Sequence, residues 1–267
     1  MNKKTLNFSS LKKIEGWLGF ADYEIIKTLI RRQNEFVSGP LVEIGVHHGK
    51  SLILMAKFSN QDSLYAIDIF DDQKKNIDSS GLGDLKIFKR NLKKFEIDEN
   101  RVIIDIRPSS EIKNIEIINK ISYSRFFHID GGHNYETVIQ DIKLSTEVSS
   151  KKGIIAIDDV FRPEWPDVSK AAFKSEELLK KNFVCFAIGF NKSYFCNQMY
   201  LDRYRKILLE NKSLLKFLQK QYDVKNTKTL IFQEYPLPEW NFKQIVWWFL
   251  SIYLPKFYIK LKYFLNK

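Results

Sequence analysis

Cysteine is nearly missing from this sequence: Cys185 and Cys196 are the only two among 267 residues. Two thiols in so long a chain make no disulfide framework, and neither stands in a zinc-like spacing. No run of about 20 uninterrupted apolar residues occurs, which argues against a transmembrane helix. Met1–Leu6 lead into no apolar stretch, so no secretory signal is expected and the cytoplasm is the expected compartment. Internal repeats and low-complexity tracts are lacking. So are a G-x-G-x-x-G dinucleotide fingerprint and a Walker lysine pattern.

What is there suits one large α/β domain, or a domain with an appendage: 44% of residues are hydrophobic, enough for a sizeable core. The formal charge of +11 fits nucleic acid, an anionic membrane surface or a phosphorylated substrate. The lysines are scattered, however, and 21 Phe, 12 Tyr and 5 Trp are odd companions for a plain nucleic-acid binder. With no N-P-P-Y-like motif and no basic stacking platform, nucleic acid ranks last among partners.

Residues 1–38 read as helical and polar-amphipathic. Strand-like runs follow at Leu41–Val46, Leu64–Phe70, Arg101–Ile106, Arg125–Asp130 and Gly153–Asp158. Helical stretches fill the gaps at 84–95, 109–120, 134–148 and 168–181. Continuous apolar strands separated by helices predict a parallel sheet covered on both faces. Phe183–Gly189 and Ser193–Met199 are joined by only three residues, too few for a parallel crossover, so they predict a hairpin. The expected fold is α/β and Rossmann-like, a mostly parallel seven-stranded sheet with an antiparallel terminal hairpin. Residues 200–222 read as one more helix and 223–239 as a loop. The expected layout is therefore 1–38, 39–200, 201–239 and a tail, 240–267.

Val42-Glu43-Ile44-Gly45-Val46-His47-His48-Gly49-Lys50-Ser51 joins the first strand to the first crossover helix. Gly45 lets the backbone turn and approach a ligand. Gly49 and Ser51 open the helix, whose free N–H groups suit a carboxylate. Glu43, read at the strand end, can receive a cationic amine. Asp68 closes the second strand, where an acid accepts ribose hydroxyls; Asp71 and Asp72 are weaker alternatives. A purely structural turn and a solvated turn acid remain open readings of these positions. Ser109 and Ser110, after strand three, are expected near the base of a nucleoside.

Three acids are expected at the carboxyl ends of strands four and five, where open α/β sheets bind ligands. They are Asp130, Asp158 and Asp159. Three carboxylates in one crevice repel unless a cation or proton offsets them. Hard oxygen ligands favour Mg²⁺, Ca²⁺ or Mn²⁺ over Zn²⁺. Alternatively Asp159 caps the next segment and Asp158 faces a cofactor. His133, past Gly131 and Gly132, can take a proton from a substrate hydroxyl, or else cap the helix after it. His128 lies within its strand and is expected to be buried. His47 and His48 border the ligand pocket without a catalytic part.

Taken together, these residues resemble a family of S-adenosylmethionine (AdoMet)-dependent class I methyltransferases. It includes macrocin-type and mycinamicin-type sugar O-methyltransferases and the group labelled rhamnosyl O-methyltransferase/cephalosporin hydroxylase. V-E-I-G-V-H-H-G-K-S, the loop Gln73–Asp84, H-I-D-G-G-H-N-Y-E and I-A-I-D-D-V-F carry the resemblance over roughly residues 35–200. It implies AdoMet contacts at Glu43, Gly45 and Asp68, metal ligation by Asp130, Asp158 and Asp159, and His133 as general base. Asp159 stands where catechol-type relatives often carry Asn, as in the sugar branch. The loop Asn76–Asp84 is expected as a lid or as plain surface. The hydroxylase label finds no support, since a non-haem iron triad needs two well-placed histidines. The implied activity is metal-assisted, most simply Mg²⁺-assisted, O-methylation of a sugar or glycan hydroxyl. The alternatives are an inactive binding module at the membrane and a nucleic-acid methyltransferase. Homo-oligomerisation is a further expectation.

The tail from Trp240 to Lys267 holds three Trp and five Lys and no acid. Aromatic and basic residues together suit an anionic membrane interface, hence peripheral attachment at the inner face. Packing on the domain or in a dimer interface is the equal alternative.

Overall fold

The computed structural model describes residues 6–235 and the isolated positions 246, 250 and 254. Apart from those three positions, the cationic tail lies outside the described residues, and with it the expectation of membrane attachment. No helix among the described residues is long and apolar enough to cross a membrane. Two units are distinguished, Met1–Tyr235 and Pro236–Lys267; all that follows concerns the first.

The chain opens with α1 (Phe8–Leu11) and α2 (Phe20–Gln33), then alternates strand and helix. β1 (Leu41–Ile44), α3 (Lys50–Phe58), β2 (Leu64–Ile67), α4 (Leu85–Lys94) and β3 (Val102–Asp105) form its first half. α5 (Asn114–Ile121), β4 (Ser124–Ile129), α6 (Tyr135–Val148), β5 (Ser149–Ile157), α7 (Pro166–Lys174) and α8 (Glu176–Lys180) form its second. β6 (Phe183–Ile188) and β7 (Ser193–Asn197) make the expected hairpin. α9 (Leu201–Leu209), α10 (Lys212–Leu215), β8 (Leu218–Val224) and β9 (Thr227–Phe232) complete the unit.

The sheet order is β3-β2-β1-β4-β5-β7-β6-β9-β8. β1 to β5 are mutually parallel, while β7 runs antiparallel to both β5 and β6. The expected seven strands are thus nine: β9 adds parallel to β6, and β8 closes the edge antiparallel to β9. The stretch read as one long helix and a loop is two helices and a hairpin. Lys225 and Asn226 turn that hairpin with φ of 47° and 63°, the left-handed pair that a two-residue turn requires.

Side chains alternate across each strand, so both faces of the sheet need cover. Leu41, Leu64, Ala66, Phe126 and Ile154 face a core completed by α2, α3, α4 and α9. Val42, Ile44, Tyr65, Phe127 and Ile155 face the other, completed by α5, α6 and α7. Each fully buried Leu, Ile or Phe contributes about 1.5–3 kcal/mol. α4 shows the logic in small. Phe88 and Leu92 are buried and its five cations point outward, while Asp84 caps it by accepting the Ile87 N–H at 2.7 Å. The helix expected from residue 109 begins at Asn114, after a 3₁₀ turn at Ser109–Glu111, and the expected 168–181 helix breaks at Ser175.

β1 and β4 are neighbours although β2 and β3 lie between them in sequence. The winding reverses there, which opens a crevice beyond the strand ends.

Candidate active site

A cavity of about 1020 Å³ occupies that crevice. One wall is the turn after β1. Gly45 has φ +80°, and a Cβ there would lie 1.6 Å from the carbonyl oxygen of Asp130, so only glycine lets this turn pass the end of β4. Ser51 and Asp68 line the same wall. The Asp68 carboxylate accepts the backbone N–H of His47 at 2.7 Å and of Phe70 at 2.5 Å. These bonds fix its orientation and leave lone pairs toward the cavity for hydroxyl donors. Burial raises its pKa despite them. Ser109 and Ser110 line the cavity beyond β3.

Two residues expected at this wall stand elsewhere. Glu43 is the third of four residues in β1, fully buried beneath the turn and not at its end. Its carboxyl accepts from Ser51 Oγ and meets Nδ1 of the buried His128 at 2.6 Å. Burial pushes Glu43 up to about 8 and His128 down to about 3, so both are neutral near pH 7. Glu43 supports the turn from below and makes no part of the cavity wall. Gly49 does not line the cavity either: with φ +87° it starts α3 where a Cβ would press on the Phe88 ring at 2.6 Å, so its role is packing α4 on α3. Of the two adjacent histidines, His47 lines the cavity and His48 is buried behind it.

The facing wall gathers the acids. Asp130 follows β4, and Asp158 and Asp159 follow β5; all three line the cavity. One ligand atom each from Asp130, His133 and Asp159 fall within 4.8 Å of one another, as do those of His128, Asp130 and Asp158. Enclosure, and then Asp158, raise the Asp130 pKa well above the carboxylate range.

A cation is already present. Lys192, 2% exposed, donates to Asp158 Oδ2. Burial opposes its charge, but Asp158, Asp130 and Asp22 outweigh burial and hold its pKa above the ordinary value. Asn191 beside it donates to Asp159 Oδ1. Asp22, at the start of α2, accepts from Tyr194 Oη at 2.7 Å, and burial raises it to about 6. The hairpin turn and the amino-terminal helix thus close over the acids.

His133 sits between two carboxylates, Nδ1 at 2.8 Å from Asp78 Oδ2 and Nε2 at 2.9 Å from Asp159 Oδ2. Burial lowers its pKa, but the pair outweighs burial and brings it up to about 9. Asp78 also accepts the His133 backbone N–H at 2.7 Å, which fastens the 76–83 loop across the cavity. Trp165 stacks on the imidazole with ring centroids 4.4 Å apart. Asp141 on α6 is buried behind Gly131; neither of its oxygens has a hydrogen-bond partner among the described residues. Burial raises it to about 7.

Sequence reading missed Lys192, Asn191, Asp78, Asp22 and Trp165. Lys192 and Asn191 carry no motif; only the β5/β7 register brings them here. Asp78 stood inside the quoted loop, without a partner to suggest its role.

The donor set fits a divalent cation. Asp130, Asp158 and Asp159 offer hard carboxyl oxygens on one wall, and Asp130 has no competing hydrogen bond among the described residues. The glycine turn with Asp68 and the serines fits a nucleoside carrying a ribose.

This sheet order with its reversed β7 defines the class I methyltransferase fold. Within it, residues 42–160 match the model of a family described as a methyltransferase domain. Several solved structures share the fold. The O-methyltransferase NovP superposes with a TM-score of 0.57 at 16% identity, over 67% of this chain and 80% of that one. An O-methyltransferase from Bacillus cereus in complex with SAH gives 0.53 at 14% identity, over 73% and 93%. MycE, from the mycinamycin biosynthetic pathway and in complex with Mg, SAH and mycinamycin VI, gives 0.50 at 17% identity, over 73% and 55%. Among curated proteins none matches this sequence.

Proposed function

We propose that the chain is an AdoMet-dependent O-methyltransferase that methylates a hydroxyl of a sugar or glycan with the help of a divalent metal, Mg²⁺ being the simplest choice. One observation carries the reading: Asp130, Asp158, Asp159 and His133 share a single cavity with the Gly45 turn and Asp68. A methyl donor on the glycine wall would face an acceptor oxygen on the acid wall. The cavity, at the upper end of the usual range for small-molecule sites, is roomy enough for two ligands.

In the reaction the acceptor oxygen attacks the sulfonium methyl. The carbon–sulfur bond breaks, and its electron pair stays on the sulfur of S-adenosylhomocysteine. A cation on Asp159 would take away one of the two carboxylates that hold the His133 imidazole charged; the neutral ring then takes the hydroxyl proton at Nε2, with its Nδ1–H held by Asp78. A metal held by Asp130, Asp158 and Asp159 supplies Lewis acidity that makes the hydroxyl easier to deprotonate. Lys192 holds Asp158 in place by donating to its Oδ2. Trp165, flat on the imidazole, fixes the ring plane and excludes water from one side. The solved O-methyltransferases of this fold, one of them with Mg, SAH and mycinamycin VI, support the reading by analogy alone.

The direct test is calorimetric titration of the full chain with AdoMet, with and without Mg²⁺, then a screen of nucleotide-linked and lipid-linked sugars for the mass gain of one methyl. AdoMet binding with no methylated product from any sugar would sink the acceptor class.

A further inference from the structure

Outside the acid centre, a second set of ligand atoms converges beneath the amino-terminal segment. We propose that Glu15, His47 and His48 form a binding site for a borderline transition-metal ion of the Zn²⁺/Co²⁺ class, which ties the 12–19 segment to the turn after β1.

The backbone explains how adjacent residues come to share a site. Neighbouring side chains normally diverge, but His47 adopts φ +51°. That left-handed step brings the two imidazoles to 3.9 Å between ring centroids. Glu15 closes the set: one ligand atom from each residue falls within 4.8 Å of the other two.

His48 supplies the second observation. It is 4% exposed, and neither ring nitrogen has a hydrogen-bond partner among the described residues. Its Nδ1 lies 3.4 Å from Glu15 Oε2 without hydrogen-bond geometry. A buried imidazole left unpartnered on both sides needs an ion or an ordered water to complete it.

Ligand chemistry separates this site from the acid centre. Two imidazoles and one carboxylate select zinc-like ions, while three carboxylates select hard ions such as Mg²⁺. Three protein ligands also leave a fourth position open. Lys50 already joins the same two segments by donating to the carbonyl of Gly16. A bound ion would add a second fastening to the stretch that carries Gly16, Trp17 and Leu18, all of which line the cavity.

The test uses the chelator-treated full chain and Co²⁺ alone as the probe, read by its visible d–d absorption. The expected result is a saturable band that weakens by more than about tenfold in apparent affinity in His48→Gln and in Glu15→Gln. The band persists in Asp130→Asn. The Glu15 side chain is 77% exposed, so its variant keeps the fold even if the His48 variant does not. Co²⁺ affinity within twofold of the parent in Glu15→Gln overturns the proposal. So does a band lost only in Asp130→Asn, which would assign all binding to the acid centre.

Discussion

Lys192 and Asp158 form a buried ion pair across the antiparallel junction of β5 and β7. Ile157 pairs with Ser193 in that register, so the next residue of one strand meets the preceding residue of the other. The ammonium therefore arrives at the acid cluster through sheet geometry, and the site holds its first positive charge before any ligand enters.

Replacing Lys192 by Met should be costly. Removing one partner of a buried pair leaves the other uncompensated, typically at about 3–5 kcal/mol. Urea unfolding of the variant is expected to show a deficit of that order. Millimolar Mg²⁺ should reduce the deficit, because a second cation can take over part of the neutralisation. An unchanged midpoint would show that Asp158 does not depend on the lysine.

His133→Ala should lower methyl transfer by about 10²–10⁴, the usual range for a general base, and Asp130→Asn, which removes a carboxylate proposed to hold the metal, should lower it as well. AdoMet affinity, measured by calorimetry, should stay within about threefold, since the donor wall is built from other residues. Unaltered turnover in either variant would remove these roles.

Gly45→Ala places a methyl group where Asp130 has its carbonyl, in a left-handed backbone. The conformation alone costs about 1–2 kcal/mol, and the overlap forces the ends of β1 and β4 apart. A lower thermal midpoint together with lost AdoMet binding is expected; a variant that binds AdoMet like the parent would show that the turn can shift freely.

Asp141 should make stability depend on pH. Its folded pKa, raised by burial to about 7, stands above the ordinary 3.8. The stability contributed by its proton is therefore complete below about 3.8 and is lost as pH climbs through about 7. At roughly 1.4 kcal/mol per pH unit this amounts to at most about 4 kcal/mol. Urea titrations at pH 4 and pH 8 should show a smaller loss in Asp141→Asn than in the parent.

Much of this architecture is legible in the sequence for a physical reason. β1, β2, β4 and most of β5 are buried on both faces, so they read as unbroken apolar runs. β8 is the opposite case. Its Lys220, Gln221, Tyr222 and Asp223 are exposed at the sheet edge, so no buried face imposes a pattern, and Lys-Asn is a poor turn signal beside Asn-Gly. The acids at the ends of β4 and β5 could be found because strand ends collect ligands. Glu43 was misplaced because β1 stops at Ile44, one residue beyond it. Lys192 and Asp78 depended on strand register and on loop folding, which residue spacing does not encode.

The added hairpin also protects the chain from itself. β6 reads Phe-Val-Cys-Phe-Ala-Ile. As a bare border it would offer unpaired amides beside greasy side chains, a template for strand-to-strand association between copies. β9 takes up part of that border, and the outermost strand left facing water is studded with lysine and glutamine. A version cut after Leu215 should therefore clump, and it would also lose Glu234 and Tyr235 from the cavity lining.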